Sequence, residues 1–209
     1  GIVGNDGETH QGLFDVAMLS SVPGITVYSP ATYEELRKTL YESIYHQTGV
    51  CCVRYPRGGE GKLPAGFAPD EAWSVRSISP KSPRKKLGLV TYGKETVQVC
   101  KAAEQLKEQG VAVSVLKLLR LLPFPEDSLR PLMGCDAILF VEEGIQSGGI
   151  GQMFGEKLLE RQYRGEYRIL AVDNRFVEQA STDRALALTG LDAAGIVRTC
   201  QTWLGIAAD

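Results

Sequence analysis

Histidine is scarce in this sequence, with His10 and His46 the two in 209 residues. Five cysteines (51, 52, 100, 135 and 200) form no C-x-x-C pair, which argues against the usual zinc-site spacings. The odd count also argues against a disulfide framework, so all five thiols are expected to be reduced and mostly buried, as in a cytosolic protein. Neither sign of charge dominates: 23 Lys+Arg face 25 Asp+Glu, for a net charge of −2. Nothing therefore points to a nucleic acid or an anionic membrane surface as partner. No apolar run reaches the length of a membrane span, and no signal-like start is visible. The sequence opens on Gly1 rather than Met, in the middle of an apparent fold, so the expectation is a piece of a larger polypeptide.

What is present alternates between strand and helix patterns. Residues 1–57 read as strand, short helix, strand, helix, strand. Ile25–Tyr28 is rich in strand formers and stops at Ser29-Pro30. Thr32-x-x-Glu35 is a capping box, from which Tyr33, Leu36, Leu40 and Ile44 recur at helical spacing, with Glu34 and Lys38 as an exposed i,i+4 pair. His46 falls at the end of that helix, where the dipole favours a surface histidine. Val50–Val53 is a short apolar strand in which Cys51 and Cys52 should face opposite ways. Residues 61–86 read as a linker, rich in Gly, Pro and basic residues, with one strand near Trp73–Ile78. A second α/β unit follows over 87–209. Its strands are expected at Leu87–Thr91, Val111–Leu116, Ala137–Val141 and Arg168–Val172. Its helices carry apolar stripes such as Ile150, Phe154, Leu158 and Ile196, Cys200, Trp203, the last helix being capped by Asp192. Alternation of this kind implies parallel sheets, whose sites lie beyond the carboxyl ends of the strands.

Three constellations could carry chemistry. Asp6 and His10 stand four residues apart on a glycine-flanked turn, where a carboxylate can orient an imidazole that exchanges protons near neutral pH. The same residues are equally consistent with a turn in which Asp6 caps a helix and His10 is half-exposed. Arg54-Tyr55-Pro56-Arg57-Gly58 closes the predicted strand at 50–53, and Arg57, between two stiffening residues, suits an anion; Arg54 suits internal packing or pairing. Glu142-Glu143-Gly144 with Gly148-Gly149-Ile150-Gly151 imitates a nucleotide loop, yet it lacks the G-x-G-x-x-G spacing and a Walker lysine. Two carboxylates would repel a phosphate there, so a tight strand–helix turn is expected.

Asp6-Gly-x-Thr9-His10-Gln11-Gly12 followed one unit later by Arg54-Tyr-Pro-Arg57-Gly58 resembles the 1-deoxy-D-xylulose-5-phosphate synthase family of transketolase-like enzymes. The resemblance continues through Val141-Glu142-Glu143, Phe176-Val177-Glu178-Gln179 and Gly190-Leu191-Asp192-Ala193-Ala194-Gly195-Ile196, and so runs the length of the chain. Glu8 stands where the family commonly has Pro. The resemblance implies the end of a pyrimidine-binding domain over 1–60 and a transketolase-type C-terminal α/β domain over 87–209. It implies condensation of pyruvate with glyceraldehyde 3-phosphate, release of CO2, thiamine diphosphate with Mg2+ as cofactor, and a cytoplasmic homodimer. His10 and Asp6 would act on the substrates and Arg57 would hold the substrate phosphate. The main cofactor and metal ligands would lie outside this sequence, leaving the piece inactive on its own and its first segment short of neighbouring strands. Another transketolase-like thiamine enzyme and a noncatalytic association module are the alternatives.

Overall fold

The computed structural model describes residues 1–69 and 71–206. In chain order its elements are α1 (Asp15–Leu19), β1 (Thr26–Tyr28), α2 (Tyr33–Tyr45), β2 (Cys51–Val53), β3 (Trp73–Ile78), β4 (Lys85–Tyr92), α3 (Thr96–Glu108), β5 (Val111–Leu118), β6 (Arg120–Leu122), β7 (Ala137–Ile145), α4 (Ile150–Glu160), β8 (Glu166–Val172), α5 (Thr182–Thr189) and α6 (Ala193–Leu204). Short 3-10 turns cover Glu8–His10, Gly93–Glu95 and Glu126–Leu132.

A five-stranded sheet in the order β3-β5-β4-β7-β8 forms the centre. Its last four strands run parallel, and β3 adds an antiparallel edge from within the breaker-rich stretch. The strands β4 and β7 are buried almost throughout, because helices cover both faces, and Leu, Val, Ile and Phe fill most of their middle positions. On one side α3, α5 and α6 pack Leu87, Leu89, Val99, Leu106 and Ile196 into a single cluster. On the other, α4 contributes Ile150, Phe154 and Leu158, as its periodicity requires. The caps also follow the sequence. Thr32 Oγ1 accepts the Glu35 N–H, and Asp192 Oδ1 accepts the Gly195 N–H.

Four expectations are corrected. Residues 1–4 form no strand; instead the Ile2 N–H donates to Glu143 Oε2 across the molecule. The first segment does gain a neighbouring strand, since β6 pairs antiparallel with β1 in a second sheet ordered β2-β1-β6. The Tyr33/Leu40/Ile44 stripe of α2 faces outward, with Ile44 68% exposed, while Glu35 and Thr39 face inward. Of the five free thiols, Cys100 and Cys200 are buried and the other three are half-buried.

The inward turn of α2 has a physical cause. Glu35 accepts the Ala31 N–H and pairs with the Lys117 ammonium, both side chains being at most 2% exposed. Lys117 lies on β5, so this ion pair ties the first segment to the second unit. Burial pulls the Lys117 ammonium down, to about 8. A buried pair whose partners are desolvated together is costly to break from one side. Lys117→Met should lower unfolding free energy by about 3–5 kcal/mol in urea titrations, and adding Glu35→Leu should recover most of that loss.

Candidate functional site

The carboxyl end of β2 delivers Arg54 and Arg57 to opposite fates. Arg54, its side chain 10% exposed, turns inward. Its Nε donates to Asp15 Oδ2 at 2.7 Å, and one terminal nitrogen donates to the carbonyls of Gly12 (3.0 Å) and Glu143 (2.8 Å). The guanidinium also lies over the Tyr92 ring, 5.5 Å from its centroid. This is the internal pairing expected for Arg54. Arg57, more than half exposed, forms an ion pair with Asp6. The structure thus brings together the two motifs that lie fifty residues apart in sequence.

The Asp6 loop is held from three directions. Gln11, buried, accepts the Val3 N–H at 2.8 Å and the Gly4 N–H at 3.3 Å, and returns a bond to the Gly4 carbonyl. Gly4 has φ +76, and a Cβ there would meet the Ala180 carbonyl and the Thr182 N–H at 2.9 Å, so only glycine lets the loop lie against the start of α5. Gln179 Nε2 donates to the Asn5 carbonyl at 2.7 Å. His10 sits exposed on the 3-10 turn that follows, its Nδ1 3.3 Å from Thr9 Oγ1. Asp6 supplies no cap to this turn, whose N-cap is Gly7, and its carboxylate goes to Arg57. His46 is the C-cap of α2 and lies beside Tyr41. A cavity of about 320 Å3 opens beside the Arg57 loop, between Tyr55–Glu60 and Pro30–Leu36.

The glycine turn before α4 has its own internal anion. Glu142 Oε2 and Oε1 accept the Ile150 and Gly151 N–H groups, at 3.2 and 3.0 Å, and Tyr92 donates its hydroxyl to the same carboxylate at 2.8 Å. Where a nucleotide phosphate would rest on a helix N-terminus, this fold places a side-chain carboxylate. The turn is therefore a closed structural unit. Among the described residues no cluster of three His, Cys, Asp or Glu could hold a metal ion, and no helix is long and apolar enough to cross a membrane.

Sequence reasoning missed Glu95 and Gln179. Glu95 follows Tyr92-Gly93-Lys94 in a tight turn, 1% exposed, and neither carboxyl oxygen has a hydrogen-bond partner in good geometry. Burial, then the neighbouring Glu143 carboxyl, push its proton affinity well above the carboxylate range. A charged residue opening a helix gives no sign of burial in sequence, so nothing there could have found it. Gln179 was legible as part of a motif, without its target.

Two models of transketolase domains match the chain. The transketolase pyrimidine binding domain covers residues 1–60 and the transketolase C-terminal domain covers 78–196. The chain belongs to the transketolase family. Within it, the similar curated relatives are 1-deoxy-D-xylulose-5-phosphate synthases. That of Synechococcus sp. (strain JA-3-3Ab) is 32% identical over 94% of this chain and 30% of its own length. That of Enterobacter sp. (strain 638) is 32% identical over 98% of this chain and 32% of its own length. The chain thus spans about a third of the length of these relatives. Among solved structures, a split-gene transketolase described as an inactive β4 tetramer superposes with TM-score 0.81 at 24% identity, over 97% of this chain and 65% of that one. A Pichia stipitis transketolase in complex with sedoheptulose 7-phosphate gives TM-score 0.74 at 21% identity, over 96% of this chain and 28% of that one. These likenesses show the fold.

The buried Glu95 carries a consequence for stability. Unfolded, its carboxyl loses its proton near 4.5; folded, it keeps the proton to higher pH. Above that point the folded chain binds more protons than the unfolded one, so this group makes stability fall as pH rises. Glu95→Gln should remove the slope and raise the unfolding midpoint at pH 8 more than at pH 5. Parallel pH profiles for the two proteins would show that the carboxyl is charged in the fold.

Proposed function

We propose that this chain supplies the acceptor-substrate side of a 1-deoxy-D-xylulose-5-phosphate synthase, which joins pyruvate to glyceraldehyde 3-phosphate with loss of CO2. The observation that carries the reading is the Arg57–Asp6 ion pair, which joins a phosphate-type guanidinium to the loop that carries His10 four residues after Asp6. In this reading residues 1–60 end the pyrimidine-binding domain, 61–86 connect, and 87–209 form the C-terminal domain. The assembly is a cytoplasmic homodimer that feeds isoprenoid synthesis.

Thiamine diphosphate is implied by the family. The described residues do not fit its diphosphate or a Mg2+ ion: the one glycine-rich helix start is taken by Glu142, and no metal-ligand cluster is present among them. We assign those ligands to residues outside this chain, which by itself should not turn over. What the chain's own residues do is narrower. Arg57 offers paired N–H donors to the phosphate of the acceptor and fixes which end of that molecule faces His10. As the new carbon–carbon bond forms, charge gathers on the aldehyde oxygen. A His10 imidazole N–H donates to that oxygen and transfers the proton that completes the hydroxyl. Asp6 holds Arg57 in place and keeps the loop closed against it.

The complete polypeptide carrying this chain should form deoxyxylulose phosphate from pyruvate and glyceraldehyde 3-phosphate with Mg2+ and thiamine diphosphate. In it, His10→Ala should lower kcat by roughly 10²–10⁴. Arg57→Ala should chiefly raise KM for glyceraldehyde 3-phosphate, by about 10- to 150-fold, the equivalent of about 1.5–3 kcal/mol for a lost charged hydrogen bond. Product formation only with a ketose phosphate donor would assign the chain to a transketolase-type reaction instead.

A further inference from the structure

Arg57 cannot hold a dianion unaided, because its charge already faces the Asp6 carboxylate. The pair sums to zero, and an arriving phosphate meets a site with no net attraction beyond what the spare guanidinium donors offer. A second cation is required, and the fold places one beside it. The Arg57–Gly61 loop crosses directly over the start of α3: a Cβ on Gly61 would meet the Val97 side chain at 2.5 Å, and a Cβ on Gly58 would lie 3.7 Å from Lys94 Nζ. Gly58 has φ +90 and directly follows Arg57, so the ammonium sits against the residue next to the guanidinium. Lys94 is half-buried, yet its ammonium has no hydrogen-bond or ion-pair partner among the described residues. It is also fixed from behind. Gly93, at φ +60, packs so closely that a Cβ would meet Ser29 Oγ at 2.8 Å, and Thr96 Oγ1 bonds the Gly93 carbonyl at 2.7 Å.

We propose that Lys94 is a second phosphate ligand, so that the acceptor's phosphate is clamped by Arg57 from the first unit and by Lys94 from the second. The inference rests on the acceptor-site reading above and adds a residue that lies outside both sequence motifs. Its consequence is that phosphate recognition depends on the docking of the two units, since neither cation alone gives the site a positive balance. The lysine acts as a point charge and the arginine as a directional fork, a division of labour suited to a tetrahedral dianion.

The test is kinetic and uses the complete polypeptide with glyceraldehyde 3-phosphate and with unphosphorylated glyceraldehyde as acceptors. Lys94→Gln should raise KM for glyceraldehyde 3-phosphate about tenfold, act far less on kcat, and lower selectivity for the phosphorylated acceptor by the same factor. Lys94→Arg should restore most of that selectivity, and inhibition by inorganic phosphate should weaken in parallel with the Gln variant. Should Lys94→Gln not fold, Lys94→Met supplies the neutral variant. If Arg57→Ala lowers selectivity and the neutral Lys94 variants do not, the Lys94 assignment is overturned while the acceptor site stands. A loss that falls equally on both acceptors makes Lys94 structural and also overturns it. If Arg57→Ala leaves selectivity intact, the acceptor-site reading fails and the Lys94 assignment with it.

Discussion

One buried guanidinium holds the two halves of this structure in register. Arg54 leaves β2 and reaches the Asp15 carboxylate, the Gly12 carbonyl and, across the molecule, the Glu143 carbonyl. It lies over Tyr92, whose hydroxyl bonds Glu142, whose carboxylate closes the first turn of α4. Each member of this chain would be expensive to bury alone; linked, every charge finds a counter-charge or a backbone partner. Its neighbours follow from it. The carbonyl of Leu13 accepts the Ile145 N–H, which sets the motif loop on the end of β7, and the Ser29 N–H donates to the Leu119 carbonyl beside β6.

This cross-link explains why the first segment packs although it brings only β1 and β2 of its own. The β6 strand grows out of β5 after a single residue, and pairs with β1, so the second unit completes the first unit's sheet. The Lys117–Glu35 pair sits two residues before that junction, on the same strand that carries it. The motif loop itself is pinned from the second unit by Gln179 and by the backbone at Ala180–Thr182. The two cations proposed for the acceptor lie at this boundary, one from each unit.

A good part of this was legible in the chain. The Thr32–Glu35 and Asp192 caps formed where local hydrogen-bond chemistry required them. The Ile150/Phe154/Leu158 stripe turned inward because a helical period admits one face to the core. The glycine turn before α4 was readable as structural from its two carboxylates. The α5 helix carried an unread signal: Ser181 Oγ accepts the Arg184 N–H, and Gly190, at φ +73, closes the other end. The β6 strand carried almost none: it is three residues long, ends at a proline, and pairs with β1, about ninety residues away.

The sequence by itself determined the alternation of strands and helices, the caps that bound them, and the two short motifs that mark the family, because each depends on residues within a few positions of one another. Only the tertiary structure supplied the partners of the two arginines on one loop, Asp15 with the Gly12 and Glu143 carbonyls for Arg54 and Asp6 for Arg57. It alone turned Glu35 and Thr39 inward while Tyr33 and Ile44 stayed out, and it alone set Lys94 beside Gly58. These outcomes depend on contacts between residues tens of positions apart. Whether a charge is buried depends on the counter-charge that the fold brings to it, and no local pattern encodes that partner.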